Sequence, residues 1–377
     1  MNNKLRRIVF PIISFIALVA LACTCGGSGG LTSPTDTPEP PTKAAPPTKP
    51  PVEVPTQSAI STKPPIGGTT GGGNAGPIVL SSTPYTHPSG AFSISFPEGW
   101  NVTEYDNSAR ADSPDGAASV QVYVENAGVQ LSADELTNYA NAIEQNFYGS
   151  YSNYVQSSVE PQQDGSTGIF KTLDSDGITY DVSTYYWQHG TALFVQDWWV
   201  RSDQYDALSD GLVAVSNSMS WNGNAASSSE LYPLKYTFTC PNNLCTFSAP
   251  YGWSYGHDET SFNFTINDKF SSPDGRTFID STIYDDGSAI SKSVAGQFAL
   301  GLLKEFYAKD IVVVGDEVQS DGSERLDWKS PGGGYSGESF FETRGTTFLM
   351  WTWVVNSDYF DLYDPLWNNI VGSYTIP

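Results

Sequence analysis

The 377 residues include 18 basic and 41 acidic side chains, a formal net charge of −23. Binding a nucleic-acid backbone requires Lys and Arg to displace counterions, so a nucleic-acid partner is excluded, and an anionic lipid surface would repel the chain. The length leaves room for two or three domains.

Residues 1–22 have the parts of a secretory signal: basic Lys4-Leu-Arg-Arg7, then an apolar run from Ile8 to Ala22. That run contains Pro11 and is short of the roughly 20 apolar residues a membrane-spanning helix needs. It ends Val19-Ala-Leu-Ala-Cys23, which resembles the lipobox of bacterial lipoproteins. The resemblance implies cleavage before Cys23, acylation of Cys23, and a protein tethered by lipid to the extracytoplasmic side of the cell membrane. Cleavage would remove three of the 18 basic residues, Lys4, Arg6 and Arg7, leaving 15 against 41 acidic ones and a balance of −26.

Residues 23–83 change character. Segments such as Thr35-Asp-Thr-Pro-Glu-Pro-Pro-Thr42 and the glycine run from Gly67 to Asn74 have too little apolar surface to offset the entropy of ordering. They are expected to form a disordered stalk, extended where proline dominates and flexible at the glycines.

The rest of the chain carries one pattern twice. Residues 86–100 read THPSGAFSISFPEGW and residues 239–253 read TCPNNLCTFSAPYGW, with six of fifteen positions identical on gapless alignment. Ser113-Pro-Asp-Gly then matches Ser272-Pro-Asp-Gly, Phe147-Tyr148 matches Phe306-Tyr307, Gly190-Thr191 matches Gly345-Thr346, and Trp198 matches Trp353. Two domains follow, 84–221 and 232–377, joined by a Ser/Ala/Asn-rich linker at 222–231, each expected to close around its own sheet.

In the first copy Phe92, Ile94 and Phe96 alternate with serines, as in a half-buried strand, and Val120, Val122 and Val124 repeat the pattern. Ser132-Ala-Asp-Glu135 is a capping box ahead of an apolar stripe at Leu136, Tyr139, Ala140, Ile143 and Phe147. Strands are predicted near 152–160, 167–173, 179–188 and 191–201, and a closing helix over Tyr205 to Met219. The second copy repeats this order, with its helix stripe at Val294, Phe298, Leu302 and Phe306. Strands joined by short turns, with helices at only two points, predict an α+β fold: a largely antiparallel sheet of about six strands with helices packed on its faces. A strand ending in Pro-x-Gly-Trp, a Ser-Pro-Asp-Gly turn, a long helix, four strands and a final helix resemble the PsbP family. The resemblance implies a PsbP-like α/β/α sandwich in each copy. Pro97, Gly99 and Trp100, and Pro250, Gly252 and Trp253, correspond as structural landmarks only.

Among residues that could carry chemistry, Cys240 and Cys245 flank a four-residue turn, the arrangement of a disulfide clamping a hairpin outside the cytoplasm. Cys25 is left beside the anchor. His87, His189 and His257 lack any nucleophile motif, and the acidic clusters Asp174/Asp176, Asp280/Asp285/Asp286 and Asp358/Asp361/Asp364 lack EF-hand spacing. No metal, cofactor or catalytic residue is assigned. Trp198, Trp351 and Trp353 lie on late strands. Under a covered sheet face they are core; on an open face they would stack against sugar rings or a protein partner. The chain therefore reads as a lipid-anchored, non-enzymatic binding or assembly protein, with a carbohydrate- or cell-wall-binding surface lipoprotein as the alternative.

Overall fold

The computed structural model describes residues 77–375 except 163–164, 260–263 and 321, all within one compact unit, Val52–Pro377. The signal segment, Cys23, Cys25 and the stalk through residue 76 lie outside the described residues.

The first copy runs β1 (Tyr85–Thr86), β2 (Phe92–Ile94), β3 (Asn101–Tyr105), β4 (Ser108–Asp112), β5 (Ala118–Asn126), α1 (Ala133–Asn146), β6 (Ser152–Pro161), β7 (Thr167–Ser175), β8 (Ile178–His189), β9 (Ala192–Arg201), α2 (Tyr205–Asn217) and β10 (Ser220–Trp221). A short helix, α3 (Gly223–Ala226), leads into the second copy. That copy runs β11 (Lys235–Thr239), β12 (Thr246–Pro250), β13 (Ser254–Asp258), β14 (Thr265–Ser271), β15 (Thr277–Tyr284), α4 (Lys292–Phe306), β16 (Val312–Val318), β17 (Glu324–Ser330), β18 (Tyr335–Arg344), β19 (Thr347–Asn356) and α5 (Phe360–Ser373).

Each copy builds a seven-stranded antiparallel sheet in the same order, β3-β4-β5-β9-β8-β7-β6 and β13-β14-β15-β19-β18-β17-β16. The fold is α+β, with two repeated domains and helices on the sheet faces. Seven strands replace the expected six because the β3–β4 hairpin has no apolar alternation: β3 is mostly exposed, and β4, Ser-Ala-Arg-Ala-Asp, buries small and polar side chains. The Phe92 strand does not join the large sheet; β2 pairs with β1 and β10 in a separate three-stranded one.

Helix α1 starts at the predicted capping box, with the Ser132 hydroxyl accepting from the Glu135 amide and the Glu135 carboxylate accepting from the Ser132 amide. It covers Tyr123, Val195 and Trp199 on one face of the first sheet, and α2 covers Val120, Phe194 and Trp198 on the other. In the second copy α4 covers Phe348, Met350 and Val354, and α5 covers Leu349, Trp351, Trp353 and Val355.

The outer cores belong to single copies, but the inner core does not. One apolar cluster joins the α1 face of the first sheet to the α5 face of the second. This corrects the expectation of two separately closed bodies. The Pro-x-Gly-Trp turn of the second copy packs on α1 so closely that a Cβ on Gly252 would lie 2.2 Å from the Tyr139 ring.

The segments that flank the first copy are held in place. Residues 77–83 belong with the first copy: Leu80 bridges Pro97, and the Glu98 amide donates to the Val79 carbonyl at 2.7 Å. The 222–231 linker is ordered, because Asn222 caps α3 and Asn126 holds the Ser227 and Ser229 carbonyls.

Candidate binding site

The constellation closest to catalytic chemistry sits under α1. Lys171 on β7 donates from Nζ to Glu144 Oε1 at 2.5 Å and to Thr184 Oγ1 at 2.6 Å, and lies 3.5 Å from the Tyr148 ring centroid. Tyr186 and Tyr154 donate to the same Glu144 carboxylate at 2.9 and 3.0 Å. Asp197 is buried nearby, and burial holds its pKa above the usual carboxylate value. Burial likewise lowers the Lys171 pKa, against the pull of Glu144 and Asp197. The Lys171 side chain has no solvent exposure and Glu144 has 4%, so no substrate reaches them.

The second copy shows what this cluster does. By strand register Lys171 corresponds to Trp328 and Thr184 to Ser339, and Glu144 corresponds to Leu303 by its spacing from the Phe-Tyr pair. Trp328 stacks on Tyr307, the counterpart of Tyr148, at 5.9 Å and donates to Ser339 Oγ at 3.0 Å. An ammonium over a tyrosine ring and an indole stacked on one fill the same volume, so the role is packing.

The sequence-selected residues are dispersed. Cys240 and Cys245 are disulfide-bonded at the tip of the β11–β12 hairpin, with Cα atoms 5.0 Å apart. The aligned residues of the first copy, His87 and Phe92, stack their rings at 5.0 Å in the same place. His189 stacks on Trp221. His257 sits between Asp268 (2.7 Å) and Glu259 (3.1 Å), and its hydrogen bond to Asp268 is the main cause of its raised pKa. Asp280 is buried and accepts from Tyr307, whereas Asp285 and Asp286 bond turn amides, so that trio does not converge. Among the described residues no group of three His, Cys, Asp or Glu side chains is placed to hold a metal.

Trp198 and Trp353 are buried at 3% and 1% exposure. Their indole N–H groups donate to Ser216 at 3.1 Å and Thr277 at 2.6 Å. Helices α2 and α5 cover their faces, so each ring is core, the reading expected for a covered sheet. Trp351 is also buried at 2%, stacked on Tyr374 and tilted against Trp367.

A polar opening near the shared core lies where the copies meet. A cleft of about 400 Å³ is lined by Asn146, Phe147, Tyr151, Asp174, Asp176 and Tyr251, among others. Asn146 fixes its floor by donating to the Tyr251 and Trp253 carbonyls, both at 2.8 Å. Asp174 accepts from Asn153 and Thr179, which holds its carboxyl below the usual range. The cleft combines aromatic rings with an ionised carboxylate, and it needs both copies. Sequence reasoning missed it, since Asn146 and Tyr251 carry no local signal of their pairing.

No protein-family model and no curated protein matches the chain. Among solved structures it is similar to the cyanobacterial PsbP protein CyanoP of Synechocystis sp., at 12% identity over 38% of this chain and 93% of that one, with a TM-score of 0.32. A protein from Bacteroides thetaiotaomicron is similar at 10% identity over 44% of this chain and 52% of that one, TM-score 0.27. The immunity protein TplEi from Pseudomonas aeruginosa is similar at 15% identity over 74% and 97%, TM-score 0.19.

Proposed function

We propose that this chain is a non-catalytic binding or assembly protein of the extracytoplasmic side, with two PsbP-like domains carried by a stalk and a lipid on Cys23. The disulfide supports an oxidising compartment, and the lipobox-like run supports the anchor. The sealed Lys171–Glu144 pair, with its apolar counterpart in the second copy, favours binding over catalysis. The observation that carries the reading is the seam cleft. A shared core holds it rigid, so a partner can be recognised without ordering the surface first.

A protein partner fits this reading best. The aromatic rings and Asp174 of the cleft also favour a second reading, recognition of a cell-wall glycan, since sugars pair ring faces with carboxylate acceptors. A photo-crosslinker at Tyr151 in cells is expected to capture one defined membrane protein. On the second reading, wall polysaccharide would instead quench the fluorescence of Trp199, 5.3 Å from Tyr151. If neither occurs, the seam is not a recognition surface. Cys23→Ser is expected to move the protein from the membrane fraction to the medium, and retention in the membrane would remove the anchor.

A further inference from the structure

The seam cleft sets aromatic rings beside carboxylates, and the arginines around it are engaged elsewhere. Asp174 lies on β7 opposite Ser152 of β6, and Asp176 is exposed in the β7–β8 turn. Both line the cleft, as do the half-buried rings of Phe147 and Tyr151, whose centroids are 6.1 Å apart. Asp174 accepts one bond on each oxygen, from Asn153 at 2.6 Å and from Thr179 at 2.7 Å. A carboxylate has about four acceptor sites, so both oxygens retain capacity for a donor from outside. Arg110 is held by Asp112 through Nε at 2.8 Å and Nη2 at 2.7 Å, and Arg201 by Asp203 at 2.7 Å.

The second copy has no such corner. Counted from its Phe-Tyr pair, Asp310 stands where Tyr151 stands. It accepts from Ser330 Oγ and the Gly332 amide, both at 2.6 Å, which ties that corner to its own β17–β18 turn. Charge decides among the occupants of the seam cleft. A neutral sugar suits the rings but leaves the Asp174 charge uncompensated. A second copy of this chain is a poor match: Arg276, Arg325 and Arg344 are already paired with Asp274, Asp327 and Glu342, and the net charge of −23 opposes self-association. A guanidinium answers both features, because its face stacks on a ring while its edge donates in parallel to a carboxylate. An ammonium supplies the charge without the face.

We infer that the seam cleft takes an arginine side chain, presented by a basic loop of a protein partner, against the Tyr151 ring and the Asp174 carboxylate. This rests on the reading of the cleft as a recognition surface and names what that surface recognises. N-acetyl-arginine amide, N-acetyl-lysine amide and N-acetyl-citrulline amide would be titrated into the full chain at low salt by ligand-observed NMR. The arginine compound is expected to bind about fivefold more tightly than the citrulline compound, the effect of one partly exposed ion pair, with the lysine compound between them. Asp174→Asn should erase that difference. Ser152→Lys sets a cation opposite Asp174 without removing its bonds to Asn153 and Thr179, and should act alike if the first variant fails to fold. The inference is overturned if citrulline binds as well as arginine, if no compound binds at millimolar concentration, or if the preference survives the substitutions. Tighter binding of the lysine compound would also overturn it, by leaving the rings without a role. The photo-crosslinker at Tyr151 separates this inference from the reading beneath it. Capture that Asp174→Asn abolishes supports both. Capture of the same protein by wild type and by Asp174→Asn keeps the recognition surface but removes the arginine, and no capture by wild type removes the surface itself.

Discussion

At the residue scale the duplication supplies its own controls. Lys171, Glu144 and Thr184 in one copy stand where Trp328, Leu303 and Ser339 stand in the other, so evolution has filled one volume with an ion pair and with hydrocarbon. Removing one member of a buried pair leaves the other charge unpaired at a cost of roughly 3–5 kcal/mol, whereas replacing both is often neutral. Lys171→Met should therefore lower unfolding stability by about that amount in urea, and adding Glu144→Leu should recover most of it. A single substitution with no effect would mean that the pair contributes nothing. None of this was visible in the sequence: an isolated Lys in a strand reads as a surface residue, and only the register brings it under α1.

Elements show a similar division. The strands at 152–160, 167–173, 179–188 and 191–201, the capping box and the closing helix were legible because apolar periodicity and turn residues are local properties. The β3–β4 hairpin was not, since its burial comes from neighbours rather than from its own pattern. The outer strands β6 and β16 are bulged and largely exposed, which hinders edge-to-edge pairing with another chain. Helix α1 and the second Pro-x-Gly-Trp turn leave no room for a side chain at Gly252. Gly252→Val would force its side chain into Tyr139. It is expected to cost about 1–3 kcal/mol by overpacking, whereas Gly99→Val meets no atom within 4 Å but strains a backbone at φ +75°. Chemical denaturation of Gly252→Val that leaves stability unchanged would show that the seam yields freely.

For the whole molecule, burial has set a pH dependence. Glu125 accepts from Tyr139 and from the Leu234 amide inside the shared core, and burial raises its pKa to about 7. Asp280 is raised to about 6 by burial in the second copy. A carboxyl whose folded pKa lies above its unfolded value is penalised once ionised, so stability falls as pH rises through that window. His257, raised by its acidic neighbours, acts in the same direction because its stabilising charge is lost as pH rises. Unfolding stability should decrease between pH 5 and pH 8, by about 3 kcal/mol on account of Glu125 alone. Glu125→Gln should flatten the slope. Stability that rises over this interval would contradict the assignment of these buried carboxyls.

The sequence by itself determined the duplication, the α+β class, most of the strands and helices, and the cysteine pair, because each is written in short-range periodicity or in matched spacing. Tertiary structure alone decided that the copies share a core, that Trp198 and Trp353 are covered, and that residues 77–83 and 222–231 are ordered. Those outcomes depend on which surfaces meet across more than a hundred residues. Burial is a property of the pair in contact, and no single stretch of chain encodes its partner.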